Sequence, residues 1–211
     1  MYLVSGDALE AASTPKVPTS GQGEGSAVLL TALSHRRWVL GVLIPALCAL
    51  LLSRLDGWWG ALVYVPLLGV LGPVLGVLDV ELLRLPNCLV LSAIPAEFAV
   101  LVMASVARGE VGVLVRVFVA AGVTAVLLGC LAAGSGGAFG WGDVKLSAGL
   151  LAPALAWSGW PAVVVAAWCS FGSAAVVAVV SRRLRCTGEL AFGPYLLTAS
   201  ALVVLCRGSG T

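Results

Sequence analysis

The chain predicts an all-α fold, a polytopic membrane bundle of about six or seven transmembrane helices. Three observations carry this. Of 211 residues, 60% are hydrophobic and 10% charged, with a mean hydropathy of +1.07, whereas a water-soluble domain is about one quarter charged. The apolar residues gather into seven runs, several near the ~20 residues that a helix needs to cross a hydrocarbon core. Lysine and arginine also fall unevenly on the two sides of the layer that those runs define.

The runs follow a polar beginning. Residues 1–37 are rich in Gly, Ser, Thr and Pro, including Gly21-Gln22-Gly23-Glu24-Gly25-Ser26, and are expected to form a disordered cytoplasmic tail. Residues 1 to about 34 lack the basic segment followed at once by an apolar stretch that a cleavable signal peptide needs. A transmembrane domain is expected over 38–206 and a short C-terminal tail over 207–211. The runs themselves lie at about 38–53, 58–78, 88–106, 111–133, 144–157, 160–180 and 194–206. The first is short for a span. The second opens on Trp58 and Trp59, which suit an interfacial belt. It also holds Gly72-Pro73-Val74-Leu75-Gly76, where small residues one turn apart admit a close neighbour and Pro73 is expected to bend the helix. The fifth and sixth runs are separated so briefly after Trp157 that they should form a tight helical hairpin.

Orientation follows from the cations. With the 79–87 connection in the cytoplasm and strict alternation, Lys16, Arg36, Arg37, Arg84, Lys145, Arg182, Arg183 and Arg185 fall inside, and Arg54, Arg108, Arg116 and Arg207 outside. Eight against four obeys the positive-inside rule. The connections 79–87, 134–143 and 181–193 then share the cytoplasmic face, and all three contain unusual residues. Arg116 and Glu97, both within runs, are expected to pair, because intramembrane charges usually find each other.

Composition also excludes. A net charge of +2 is too small to argue for nucleic acid. The six cysteines form no C-x-x-C pair and read as small buried hydrophobes rather than a disulfide framework. With one histidine, His35, no metal site is expected, and no cofactor is implied.

Two acids stand out. Asp79 closes the second run and begins Asp79-Val80-Glu81-Leu82-Leu83-Arg84-Leu85-Pro86-Asn87, in which Pro86 stops a helix and Asn87 can cap the next. Asp143 sits in Phe139-Gly140-Trp141-Gly142-Asp143-Val144-Lys145-Leu146, where Gly140 and Gly142 remove bulk beside the carboxylate. One reading makes Asp79 an interfacial residue, Asp143 a helix cap and Lys145 a side chain snorkelling to headgroups, or one whose charge lowers the pKa of Asp143. The other brings the acids together. Two carboxylates in a place of restricted water share a proton, so that one serves as general base on water and the other as general acid on a carbonyl oxygen. Glu81 and Glu189 read as solvated charges.

Taken with their spacing, these residues resemble the type IV prepilin peptidase family. Asp79 through Pro86-Asn87 is similar to its D-x(6)-P-[ND] motif, and Gly140-Trp141-Gly142-Asp143-Val144-Lys145 to its G-x-G-D-x-K motif. Ala191-Phe192-Gly193-Pro194-Tyr195 resembles the F-G-P segment that opens the family's last helix. The resemblance covers roughly 58–206. It implies a prepilin-peptidase-like domain in the inner or plasma membrane, with Asp79 and Asp143 as catalytic pair. Pro86, Asn87, Gly140, Gly142, Lys145, Gly193 and Pro194 would be the supporting motif residues. Substrates would be prepilin or pseudopilin precursors, cut after a glycine at the cytoplasmic boundary of the bilayer. Many members carry two C-x-x-C pairs and methylate the new N-terminus. This chain has neither the pairs nor a loop of that size, so it resembles the short, peptidase-only form. Two other readings use the same acids. Another G-x-G-D intramembrane protease would not need Pro86-Asn87 or Gly193-Pro194. A transporter with an ion-relaying pair would place the acids near the midplane and show internal repeats.

Overall fold

A computed structural model describes residues 37–55, 57–82, 87–135, 139–183 and 191–207. Among these every regular element is helical. The expected tail at 1–37, apart from Arg37, lies outside the described residues, as do Arg84, Pro86, Glu189 and the end of the chain beyond Arg207.

Each of the seven apolar runs is a helix. These are α1 (Arg37–Arg54), α2 (58–82), α3 (Asn87–Arg108), α4 (Val111–Gly134), α5 (141–157), α6 (Trp160–Arg183) and α7 (Gly193–Arg207). Among the described residues, four stretches are long and apolar enough to cross a membrane: Trp58–Glu81, Asn87–Arg108, Val111–Gly134 and Trp160–Val180. Helices α1, α5 and α7 are shorter. The outward faces of α3, α4 and α6 are aliphatic and aromatic, with Val106, Val115, Phe118, Leu127, Trp168 and Val176 exposed. Such a surface is suited to hydrocarbon rather than water.

Helix α5 is the post around which the bundle is built. It packs against α3, α4, α6 and α7, and Leu146, Leu150, Leu151, Leu155 and Trp157 are all buried. A helix that is apolar all round belongs in an interior. Its brevity therefore does not leave it stranded, because its neighbours rather than lipid surround it. Helix α1 runs antiparallel to α2, with Cys48 against Gly69: a methyl group on Gly69 would lie 2.7 Å from Cys48 Sγ.

Both α2 and α5 contain a π-helical stretch, Val65–Leu71 in the first and Ser147–Leu151 in the second. Each ends just before a proline, Pro73 or Pro153. A proline has no N–H to donate, and its ring crowds the carbonyl four residues earlier. Widening the preceding turn relieves both problems without breaking the helix. The bend expected at Pro73 is thus taken up as a change of helix type over the turn before it.

The expected pairing of Glu97 with Arg116 is not what forms. Arg116 Nε donates to the Ala156 carbonyl and Nη2 to the Trp157 carbonyl at 2.8 Å. These are the last two carbonyls of α5, where donors within the helix run out; that of Ala156 also accepts from the Gly159 N–H at 3.1 Å, and the guanidinium reaches both at once. Glu97 is 7% exposed, and its Oε1 has no hydrogen-bond partner among the described residues. On the same end, the Tyr64 hydroxyl donates to the Ala154 carbonyl at 2.9 Å and also contacts Ser158 Oγ. Arg108 lies over the Trp157 ring, 5.5 Å from its centre.

Candidate functional site

The opposite end of the bundle brings together Asp79, Asn87, Lys145 and Gly193, with Phe139 against Phe192 beside them. Asp79 is on the last turns of α2 and is 5% exposed. Its Oδ2 accepts a hydrogen bond from the Gly193 backbone N–H at 2.9 Å. Gly193 is the first residue of α7, where backbone donors have no partner inside the helix and the helix dipole is positive. A carboxylate suits that place. The approach also requires glycine, since a Cβ at 193 would sit 2.6 Å from Asp79 Oδ2. Pro194 follows at a position where the first turn of a helix tolerates its missing N–H.

Asp143 is 9% exposed and lies in the first turn of α5, just ahead of the apolar run that begins at Val144. It is not the cap of that helix. Gly140 holds the N-cap position in an extended conformation, and no side chain caps it. Its carbonyl accepts from the N–H groups of Asp143, at 3.1 Å, and Val144. A Cβ on Gly140 would lie 3.2 Å from Asp143 Oδ2, and Gly142 occupies the position between Trp141 and Asp143. The two acids, 64 residues apart in the chain by their numbering, are thus both buried, each against one of the two glycine-bearing segments.

Lys145 does not act as a free snorkelling cation. Its Nζ donates to Asn87 Oδ1 at 2.9 Å, which ties the first turn of α5 to the first residue of α3. Pro86 lies outside the described residues. Glu81 is exposed, unlike the two aspartates.

Phe139, Phe171 and Phe192 form an aromatic cluster beside the acids. Phe192 lies 5.3 Å from Phe139 and 5.2 Å from Phe171, ring centre to ring centre. The rings of Phe139 and Phe192 precede Gly140 and Gly193 directly, so they lock together the two connections that deliver those glycines. Phe192 belongs to a recognisable sequence motif, whereas Phe171 has no such mark. Nothing in a long apolar run distinguishes the one phenylalanine that meets two others.

No protein-family model, curated protein or solved structure matches this chain. What bears on function is therefore the residues and their placement. Two buried carboxylates lie at one end of an apolar bundle beside two glycine-bearing segments. Such a pair can exchange a single proton between a water molecule and a carbonyl oxygen.

Proposed function

We propose that this protein is a membrane-embedded aspartic endopeptidase that removes the leader from prepilin-like precursors, whether pilins or pseudopilins. In this reading all seven helices, short ones included, traverse the inner or plasma membrane, and the acids face the cytoplasm. The observation that carries the proposal is the burial of Asp79 and Asp143 against Gly193 and Gly140, whose segments the Phe139–Phe192 contact brings to one end of the bundle.

The chemistry assigns a proton to each step. Asp143 holds the shared proton at rest, and Asp79 is the carboxylate. Asp79 takes a proton from water as the hydroxide oxygen adds to the scissile carbonyl carbon. Asp143 gives its proton to the carbonyl oxygen. Collapse of the resulting gem-diol passes a proton to the departing amine and returns one to the pair. The scissile segment must be extended for this attack, and a glycine at the bond makes local unwinding of the substrate helix cheaper.

The test is leader removal from a single-helix precursor with a basic leader, using purified protein in liposomes. The unaltered protein should shorten the precursor at a glycine. Asp79→Asn and Asp143→Asn should each lower the rate by at least ~10²-fold, the low end for loss of a general acid or base. The double variant should be no worse than either, because the two act as a unit. Glu81→Gln should keep most activity. Substantial cleavage by either single aspartate variant would sink the proposal.

A further inference from the structure

We propose that the cleft between α4 and α6 receives the hydrophobic helix of the precursor, which enters sideways from the bilayer with its end at Asp79 and Asp143. This inference rests on the peptidase reading above and adds to it the face of the bundle by which the substrate arrives.

Helices α4 and α6 barely touch. The first packs along α5, and the second along α7 and the end of α5. Between them is a hollow of about 300 Å³. Its floor is α5, including Ser147, and its walls include Val123 of α4 and Val164 and Ala167 of α6. Both wall valines are exposed on the outer surface, so the hollow is open to the plane of the membrane rather than to water alone.

Two features join this hollow to the acids. Ser147 follows Asp143 by four residues, which places it one turn deeper on the same face of α5. Phe171 lines the hollow and also belongs to the ring cluster with Phe139 and Phe192, next to the glycines that touch the two carboxylates.

Ser147 also identifies the occupant. It is buried, and its Oγ has no hydrogen-bond partner among the described residues. The other serines that line the hollow are satisfied within their own helices, Ser170 by the Ala166 carbonyl and Ser200 by the Leu196 carbonyl, both at 2.7 Å. An acyl chain would fill an apolar hollow but offers nothing to a hydroxyl at that depth. A helix that is loosening near its cleavage point does, because it exposes backbone N–H and C=O groups that find no water in hydrocarbon. Ala120, Ala166 and Ala167 let such a backbone come close.

A second groove, of about 540 Å³, lies among α1, α2 and α7 and also reaches the Asp79 helix. The Thr198 hydroxyl in it is already bonded, to the Pro194 and Tyr195 carbonyls. It is the rival path.

The experiment is photocrosslinking in liposomes with a peptide of basic leader, glycine and one apolar helix. Benzoylphenylalanine replaces Val164 in the proposed cleft or Leu202 in the rival groove, each in an Asp143→Asn background so that the peptide stays whole. Peptide adducts from position 164 should exceed those from 202 by at least about fivefold, a difference of ~1 kcal/mol in occupancy. Adding Ala167→Trp should reduce the yield at 164. Lipid adducts alone at 164, or an equal or greater peptide yield at 202, would overturn the inference. The readout needs no catalysis. Cleavage by the unaltered protein with only lipid at 164 removes the cleft and leaves the peptidase. Peptide at 164 with no cleavage does the reverse.

Discussion

A methyl group at position 193 would meet Asp79 Oδ2 at 2.6 Å and Cγ at 3.0 Å, and one at position 140 would meet Asp143 Oδ2 at 3.2 Å. The first contact displaces a carboxylate that is held by the same residue's N–H, whereas the second asks for a shift of a few tenths of an ångström. Gly193→Ala should therefore lower the initial rate of leader cleavage by ~10²-fold, the scale of an ångström-sized misplacement. Gly140→Ala should lower it by less than about tenfold on the same scale. Equal losses would show that the sterics are not what demands glycine. Cleavage should show a bell-shaped pH profile that belongs to the pair, because the mechanism needs one proton shared between two carboxylates and fails when that proton is lost or a second is gained.

At the scale of the helix, Arg116 is what holds the far end of α5 against α4. Arg116→Met would remove the guanidinium donor from the carbonyls of Ala156 and Trp157, of which the first keeps the Gly159 N–H. The expected loss is about 1.5–3 kcal/mol, the range for hydrogen bonds to a charged group, visible as a lower melting temperature. Glu97→Gln should be neutral or stabilising, because its buried Oε1 has no partner among the described residues to lose. A double-mutant cycle over the two positions should give a coupling below ~0.5 kcal/mol, as for residues that do not share an interaction. A larger coupling would restore the ion pair. The π-helical turns are the other helix-scale feature. They occur in the two helices that carry the aspartates, and each turns the segment beyond it relative to an unbroken α-helix.

For the whole molecule, the contacts divide the bundle into two ends. Asp79, Asn87, Gly140, Lys145 and Gly193 meet at one, through Asp79–Gly193 and Asn87–Lys145. Tyr64, Arg108, Arg116 and Trp157 meet at the other. If the charge asymmetry sets the orientation, the first end is cytoplasmic. Reporter fusions after Arg108 and after Arg185 should then report opposite sides of the membrane, and a fusion at Thr211 the outer side. A common side for the first two would dismantle the alternation and the shared cytoplasmic face of the motifs.

The helices are legible in the amino-acid sequence alone, because an apolar run punctuated by proline, glycine and polar residues is a local signal and needs no partner to be read. The residues of the site are legible too, since an acid at the end of such a run is conspicuous against so few charges. What the tertiary structure decided is which group each of them meets. Asp79 reaches the first N–H of α7, Lys145 reaches Asn87, and Asp143 lies within the first turn of α5 rather than capping it. Arg116 takes two carbonyls in place of Glu97. Such partners depend on how far one helix is slid and rotated against the next. Helices that are apolar on every side carry almost no amphipathic stripe to record that rotation, and orphan carbonyls at a helix end have no residue type of their own. Only packing against α5 sets those offsets.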